Sequence, residues 1–160
     1  MVAWRWSRFG GLGGDDVYDV LALRAAIFVT EQECAYLDPD GLDRCAWHLL
    51  GRAGDGRLLA YARVVDPGKK YDVPSIGRVV VDRSRRGTGL GHALLAEALR
   101  RCGRIWPGAP NRIGAQVRLQ AFYGRHGYVP VGDTYLEDGI PHIDMERAAP
   151  RPAHEGVPPR

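Results

Sequence analysis

The segment from Val79 to Leu99, VVVDRSRRGTGLGHALLAEAL, most constrains what this chain of 160 residues can fold into. It begins with a β-branched run, continues through a turn with Gly87 and Gly89, and ends with apolar residues at helical spacing. This order predicts a strand, a tight turn and the N-terminus of a helix. The first N–H groups of a helix lack intrahelical partners, and the helix dipole adds positive charge there. Such a junction is suited to binding an anion, and phosphate in particular.

Three phosphate-binding motifs can be compared with this turn. A P-loop requires the pattern GxxxxGK[ST], and the turn lacks both the lysine and the hydroxyl residue that follows it. A Rossmann turn requires GxGxxG, and His92 stands where its third glycine would be. The pattern RxxGxG/A fits the residues from Arg86 to Gly91. The alternative is a tight structural turn that binds no ligand.

A second motif, QVRLQAFYGRHGY, extends from Gln116 to Tyr128. Together with RxxGxG/A it resembles the GNAT acetyltransferases, in which the first motif is the pyrophosphate loop for coenzyme A and the second reads FYxxxGF. A narrower resemblance, to the ElaA-like subgroup of that family, covers nearly all of the chain up to about Arg147. It depends on four further stretches: FVTEQ at 28–32, DGLD at 40–43, WHLL at 47–50 and YLEDGIPHI at 135–143.

The hydrophobic pattern predicts the element order β-α-β-β-β-α-β-α-β-β in one domain, 1–147, followed by a flexible C-terminal tail, 148–160. The fold class is α/β with α+β character. The resemblance implies a central mixed, largely antiparallel twisted sheet of about seven strands with splayed central strands, flanked by about four helices. The expected strands are 4–9, 45–50, 58–65, 76–81, 112–117, 128–131 and 143–147, and the expected helices are 15–31, 90–102 and 119–125.

Composition argues against several other classes of protein. The net charge is only +3, and the basic residues are scattered without interleaved aromatics, so we expect no nucleic-acid partner. The N-terminus has no apolar signal segment, and no apolar run is long enough for a membrane span. Three cysteines without CxxC spacing predict no metal site and suggest reduced thiols in the cytoplasm. The aromatic first strand, with Trp4 and Trp6, belongs either to the core or to the surface of a homodimer.

The resemblance implies that acetyl-CoA is the cosubstrate. In the family, the pyrophosphate lies on the glycine loop, and the pantetheine arm lies between two splayed strands. The family usually has asparagine at the position of Gln116. The cofactor-binding residues implied in this chain are Val79, Val80, Val81, Arg86, Gly87, Thr88, Gly89, Leu90, Gly91, His92, Gln116 and Tyr123.

Acetyl transfer to an amine requires a polarised thioester carbonyl, a base for the amine and an acid for the departing sulfur. By resemblance, a backbone N–H group near 79–81 polarises the carbonyl, and Tyr123 protonates the sulfur. The alternative for Tyr123 is packing between helix and sheet. The candidates for the base are Glu31, Glu33, His48, His142 and Asp144, of which Glu31 and His142 are taken as catalytic.

The candidate residues for binding the acceptor are Glu31, His48, Arg78 and His142. Each has a structural alternative: Glu31 as a carboxylate at a helix end, the histidines as buried hydrogen-bonded side chains. Arg78 either orients an acidic group of the substrate or pairs with Glu31 or Asp144. Cys34 could carry an acyl group only with a nearby base and a lowered pKa.

These observations favour an acetyl-CoA-dependent N-acetyltransferase that acts on a primary amine of a small molecule or peptide by direct transfer in a ternary complex. The first alternative is a non-catalytic module that binds coenzyme A or another nucleotide. An enzyme that uses a longer acyl chain would need an apolar tunnel, and RNA binding through the arginines fits least. Retained binding without turnover would distinguish the non-catalytic module from the enzyme.

Overall fold

The computed structural model describes residues 1–151, which form seven strands and three α-helices. The strands are β1 (Ala3–Arg8), β2 (Trp47–Arg52), β3 (Leu58–Val65), β4 (Ser75–Val81), β5 (Asn111–Gln116), β6 (Tyr128–Glu137) and β7 (Ile140–Arg147). The helices are α1 (Gly14–Arg24), α2 (Leu90–Ile105) and α3 (Gln120–Gly124), and α1 continues as a π-helix over Ala25–Glu31. The predicted fold class is confirmed.

The strands form two antiparallel sheets that meet at one seam. The first sheet has the order β1-β2-β3-β4, and the second has the order β5-β7-β6. Strands β4 and β5 lie side by side but form no ladder; the Arg112 N–H donates to the Pro74 carbonyl at the start of both strands, with N and O 3.3 Å apart. From this link the two strands separate, which leaves an open gap between the sheets.

The core lies on both faces of the first sheet. Every residue of β3 is buried, as expected for a central strand that is covered on both sides. Helix α2 packs its apolar stripe against one face, with Leu94, Leu95 and Ala98 fully buried. Helix α1 covers the other face through Val20 and residues near it. The glycine turn between β4 and α2 is therefore held between two well-packed elements.

The details differ from the sequence-based expectation in three respects. The single mixed sheet is two antiparallel sheets, and there are three α-helices rather than about four. Only two residues, Asp138 and Gly139, separate strands β6 and β7. Both have positive φ and form a tight hairpin turn in place of the long turn that was expected. The tip of this hairpin consequently reaches the seam between the sheets.

Helix α1 begins at Gly14, one residue before the predicted start, and its buried face includes an arginine. Gly13 is the N-cap, and Asp16 accepts a hydrogen bond from its N–H, with N and O 3.1 Å apart. The buried face carries Arg24 among apolar residues, because this arginine is bound by carboxylates. The π-helical segment that follows α1 widens the last turns, a feature often found at functional sites. It directs Glu31 and Gln32 toward the seam.

Two further sequence expectations can be placed. Trp4 and Trp6 are half-buried against the core, and Trp6 stacks on Trp47 with ring centroids 5.0 Å apart, which supports the core interpretation of the first strand. Residues 148–151 have no regular secondary structure, and the rest of the predicted tail lies outside the described residues. No helix within residues 1–151 is long and apolar enough to cross a membrane.

Candidate active site

A β-bulge in β4 shapes the floor of the seam. Tyr61 of β3 pairs with Val80, whereas Arg63 pairs with Gly77, so β4 has an extra residue between these two pairs. Arg78 lies within this bulge with φ +49°, in the left-handed region. A bulge bends a strand and redirects its side chains, and bulges are frequent beside active sites. Here the bulge lies beside the gap that separates β4 from β5.

A cleft of about 770 Å³ occupies the seam. Its walls are the end of the α1 segment, the loop that follows it, strand β4, the start of α3 and the tip of the β6–β7 hairpin. The residues of the predicted site that line it are Glu31, Cys34, Arg78, Val79, Val80, Val81, Arg86, Gln116, Tyr123 and His142. Most of the predicted catalytic and binding set is therefore gathered in one cavity.

The glycine turn lies beyond one end of this cleft and is open to solvent. Gly87 and Gly89 have φ +71° and +84°, and a Cβ added at either position would meet no heavy atom within 4 Å. Gly89 is the N-cap of the 16-residue helix α2. At Gly91 an added Cβ would lie 3.4 Å from the ring of Phe122, so the helix approaches α3 closely. No side chain at Gly87 or Gly89 covers the exposed N-terminus of this long helix, so a pyrophosphate could approach its free N–H groups.

Other residues of the loop serve its own structure. The Thr88 hydroxyl donates to the Arg85 carbonyl at 2.6 Å, and Leu90 is buried in the core. His92 is half-buried and does not line the cleft; its Nδ1 lies 2.9 Å from Nε2 of His126. The side chains of Thr88, Leu90 and His92 are thus engaged in contacts within the protein.

Glu31 and Arg86 form a bidentate ion pair across the mouth of the cleft. Each carboxylate oxygen accepts from one terminal nitrogen of the guanidinium. The hydrogen bond from Arg86 and its charge lower the pKa of the Glu31 carboxyl. A carboxylate with a lowered pKa is a poor proton acceptor at neutral pH. The geometry therefore favours Glu31 as a partner that holds Arg86 in place rather than as the base.

Tyr123 is buried at the inner end of the cleft. Its ring packs edge-on against Phe122 and Tyr128, with centroids 5.1 and 5.8 Å away. Among residues 1–151, none makes a hydrogen bond to its hydroxyl group. Burial raises the pKa of Tyr123 to about 12, so the hydroxyl keeps its proton. Packing fixes the ring and leaves the hydroxyl available to a ligand in the cleft.

His142 lies on β7, and its imidazole is held through Nδ1. Nδ1 is 2.7 Å from the carbonyl oxygen of Ile140, so Nδ1 carries the hydrogen of the neutral ring. The lone pair is then on Nε2, which lies 3.4 Å from a carboxylate oxygen of Glu137. A positive charge formed on the ring would be stabilised by this carboxylate. Of the candidates for the base, His142 has the geometry that the role requires.

His48 does not belong to the cleft, and its assignment as an acceptor-binding residue is corrected. It is 1% exposed, on the face of β2 that is covered by α1 and the loop before β2. Nδ1 lies 2.8 Å from the Tyr61 hydroxyl, and Nε2 lies 2.8 Å from the Asp43 carbonyl oxygen. Burial lowers the pKa of its imidazole. It is a hydrogen-bonded core histidine, the structural alternative given above.

Arg78 also has protein partners, though not those expected. Its guanidinium donates to the Asp38 carboxylate at 2.8 Å and to the Asp38 carbonyl at 2.9 Å, and neither Glu31 nor Asp144 is its partner. Arg24, which is fully buried, donates to the other oxygen of the same carboxylate at 2.7 Å. Asp38 thus ties the bulge of β4 to helix α1 and to the loop above the cleft.

Asp43 belongs to the same ionic cluster and provides a test of its contribution. It accepts from Arg24 at 2.7 Å and from Arg63 at 3.1 Å. Burial opposes its ionisation, but the hydrogen bonds and charges of the two arginines outweigh burial and lower the pKa of the carboxyl. This contribution to stability is therefore present above the ordinary pKa of 3.8 and is lost as the pH falls below it.

We expect Asp43→Asn to lower the free energy of unfolding at pH 7 by about 1–3 kcal/mol, since charged hydrogen bonds to two buried arginines are weakened. Urea denaturation followed by circular dichroism measures the difference. The difference should shrink as the pH falls below 3.8, because the unfolded chain then binds a proton at this carboxyl, and it should vanish once the pH is below the lowered pKa of the folded state. Asp133→Asn, at an exposed site without an ion pair in the described residues, is the control. Equal stability of the two variants at pH 7 would contradict this role for Asp43.

The other candidates for the base are less suited to it. Asp144 accepts hydrogen bonds from the hydroxyls of Tyr71 and Tyr135, at 2.9 and 2.7 Å, and from Arg112 at 3.0 Å. These contacts outweigh burial and lower the pKa of Asp144. Glu33 is exposed, has φ +51° and does not line the cleft.

Cys34 and Gln116 line the cleft, and each has a protein contact. The Cys34 thiol lies 3.2 Å from the Asp138 carbonyl oxygen. No base adjoins the thiol in the described residues, so nothing supports it as an acyl carrier. The Gln116 amide donates to the side chain of Gln32 at 3.2 Å, which bridges the gap between β5 and the segment after α1.

The structure also places two residues in the cleft that the sequence-based assignment missed. Lys70 and Glu137 both line the cleft, and neither is among the candidate site residues named from the sequence. One sequence signal was available for Lys70: it and Lys69 are the only lysines among 22 basic residues, and they lie in the loop before β4. Glu137 belongs to the YLEDGIPHI stretch, but its place in the cleft depends on the register of the β6–β7 hairpin.

The fold and the cleft define a class of protein. Two sheets that part beside an open helix N-terminus can hold a long, phosphate-bearing cosubstrate, and a buried hydroxyl and an imidazole line the same space. This is the architecture of an acyltransferase that uses a coenzyme A thioester.

Comparison with known proteins gives the family. A model of the acetyltransferase (GNAT) domain matches residues 45–149. UPF0039 protein sll0451 of Synechocystis is 43% identical over 144 residues, which are 90% of this chain and 94% of that protein. Protein ElaA of Escherichia coli is 41% identical over 149 residues, 92% of this chain and 97% of ElaA.

Solved structures agree with this assignment. The crystal structure of an acyl-CoA N-acyltransferase from Pseudomonas aeruginosa is similar with a TM-score of 0.88 and 44% identity, covering 92% of this chain and 100% of that one. The crystal structure of Escherichia coli ElaA has a TM-score of 0.86 and 40% identity, covering 92% and 99%. The chain belongs to the GNAT acetyltransferase family, whose members transfer acyl groups from coenzyme A thioesters to amines. The predicted resemblance to its ElaA-like members is confirmed.

Proposed function

We propose that this protein is an acetyl-CoA-dependent N-acetyltransferase that acetylates a primary amine of a small molecule or peptide by direct transfer in a ternary complex. The observation that carries the proposal is a single cleft that contains both Tyr123 and His142 and ends at the glycine turn. A binding module would need the turn and the gap between β4 and β5. It would not need the Tyr123 hydroxyl, which has no protein partner in the described residues, or the lone pair on Nε2 of His142.

The glycine turn would hold the cosubstrate through its backbone. The N–H groups at the start of α2 donate to the pyrophosphate, and the helix dipole favours its negative charge. The absence of side chains at 87 and 89 allows close approach. Arg83 and Arg85, both exposed at the turn, add positive charge.

The gap between β4 and β5 would hold the pantetheine arm. The edge of β4 that faces β5 has no ladder partner, so its N–H groups after the bulge are available to a thioester carbonyl. A fixed donor of this kind lowers a barrier by about 2.7–4 kcal/mol. Acetyl-CoA supplies an acetyl group already activated as a thioester, so the protein has to position it and move protons.

His142 would accept the proton of the amine, and Tyr123 would stabilise the departing sulfur. His142 accepts a proton from the amine at Nε2, directly or through a water molecule, and Glu137 stabilises the charged imidazole. Tyr123 donates a hydrogen bond to the departing sulfur from its buried hydroxyl. Glu31 keeps Arg86 at the mouth of the cleft and does not take part in proton transfer.

A comparison of two variants tests the assignment of the base. We expect Glu31→Gln to leave the turnover number nearly unchanged, because Glu31 takes no part in proton transfer. His142→Gln should lower turnover by more than Glu31→Gln does, because glutamine cannot accept the proton. Steady-state rates of thiol release at saturating acetyl-CoA give both numbers once an acceptor is found. A larger loss in Glu31→Gln would assign the base to Glu31.

Calorimetric titration of the purified protein tests the function itself. Acetyl-CoA and CoA should bind, whereas ATP and NAD, the controls, should not. Thiol release in the presence of an amine panel then separates the enzyme from the non-catalytic module, which would bind CoA and never turn over. A folded protein that binds neither acetyl-CoA nor CoA would show that the turn from Arg86 to Gly91 is structural. A cytoplasmic location, the absence of a nucleic-acid partner or a resident metal, and a homodimer stay predictions.

A further inference from the structure

Lys70 places a primary amine inside the cleft. The residue lies in the loop between β3 and β4; it is exposed as a whole, and it lines the cleft. A Cβ added at Gly114 would lie 3.4 Å from Nζ, so the amine rests directly over the backbone of β5. Gly114 follows shortly after Arg112, which links the starts of β4 and β5. The amine is therefore at the point where the two strands begin to separate.

The surroundings of this amine leave it without an ion-pair partner. Within residues 1–151 no side chain forms a salt bridge or hydrogen bond with Nζ, which lies 5.4 Å from the centroid of the Tyr71 ring. The neighbouring arginines differ, because Arg63, Arg78 and Arg112 are each bound to an aspartate. Burial of the amine lowers the pKa of Lys70, with the charges of Arg78 and Arg63 acting in the same direction and those of Glu137 and Asp144 against it. A larger fraction of the amine is then neutral and nucleophilic.

We propose that the protein acetylates itself at Lys70, in cis, with acetyl-CoA as the donor. This inference rests on the proposed function, since the donor is the cosubstrate assigned above. The lone pair of the neutral Nζ forms a bond to the acetyl carbon, and the carbon–sulfur bond breaks. The nitrogen loses one proton and the sulfur gains one, so the products are N-acetyl-Lys70 and free CoA. No further reactant is required.

The chain offers a matched control for this reaction. Lys69 is the adjacent residue and the only other lysine, so the two amines share the same loop. The Asp66–Tyr71 peptide, released by cleavage before Asp66 and Asp72, carries both lysines, and tandem mass spectrometry distinguishes them. We expect Lys70 to be labelled by isotopically labelled acetyl-CoA about 10-fold faster than Lys69 or more, since a positioned amine reacts intramolecularly.

The experiment incubates the full-length wild-type protein with isotopically labelled acetyl-CoA, with calorimetric titration of the same sample. The rate constant at Lys70 should be independent of protein concentration, and Gly89→Glu should reduce labelling to the level of Lys69. Lys70→Arg should remove the label, and Lys69→Arg should not. Binding of acetyl-CoA without preferential labelling of Lys70 would overturn this inference and leave the proposed function standing. A rate that rises with protein concentration would also overturn it, and absence of binding would overturn both.

Discussion

Gly89→Glu is expected to lower the affinity for acetyl-CoA by at least about 100-fold. Gly89 is the N-cap of α2, and its φ of +84° is strained for any residue with a Cβ. Glutamate at this position places a side chain and a negative charge where the pyrophosphate would accept backbone hydrogen bonds. Loss of hydrogen bonds to a charged group costs about 1.5–3 kcal/mol each, and 1.4 kcal/mol is a factor of ten in affinity.

Two control variants separate the causes of this loss. Gly89→Asn adds a side chain without a charge at a conformation that asparagine tolerates, so it should weaken binding less. Gly10→Glu introduces the same charge at an exposed glycine with no heavy atom within 4 Å of an added Cβ, and binding should be unchanged. Calorimetric titration measures affinity, and circular dichroism verifies folding. Wild-type affinity in a folded Gly89→Glu protein would refute the assignment of the turn.

The structure of the glycine turn was predictable because it depends on a few consecutive residues. A helix N-terminus after a strand binds anions through groups that lie within a few consecutive residues, so a sequence pattern is enough to identify it. The same holds for Tyr123, whose FY pair stands at a fixed position in its helix. Most of the element order was also predictable, because the hydrophobic periodicity that distinguishes a strand from a helix is contained within each short segment of sequence.

The part of the cleft around Arg78 and His142 was not predictable, because it is built from distant segments. Arg78 and Asp38 are forty residues apart in the chain, and their pairing depends on a bulge in β4 and on the path of the loop after α1. His48 and His142 are indistinguishable in sequence, both being histidines on apolar strands. The structure separates them, because one faces the core and the other faces the gap between the sheets. Side-chain pairing across the sheets therefore determines which of the candidate residues line the cleft.

Tyr123→Phe is expected to lower the turnover number on the order of 10²-fold with little change in the affinity for acetyl-CoA. The substitution keeps the packing against Phe122 and Tyr128 and removes only the hydroxyl, which has no protein partner in the described residues. Its pKa of about 12 lies above that of an ordinary thiol, about 8.5, so the hydroxyl acts mainly by donating a hydrogen bond to the departing sulfur. A hydrogen bond to a charged group, at about 1.5–3 kcal/mol, agrees with a loss of this size.

Tyr128→Phe is the matched control for this prediction. Its hydroxyl donates to the Asn111 side chain at 2.6 Å in the core, so this variant should lose stability and keep its turnover. The opposite result is expected for Tyr123→Phe, since no protein hydrogen bond is lost there. Thermal unfolding and steady-state thiol release, measured on both variants, give the four values needed. If Tyr123→Phe retains full turnover, Tyr123 serves packing alone, and the departing sulfur must be stabilised by another group in the cleft.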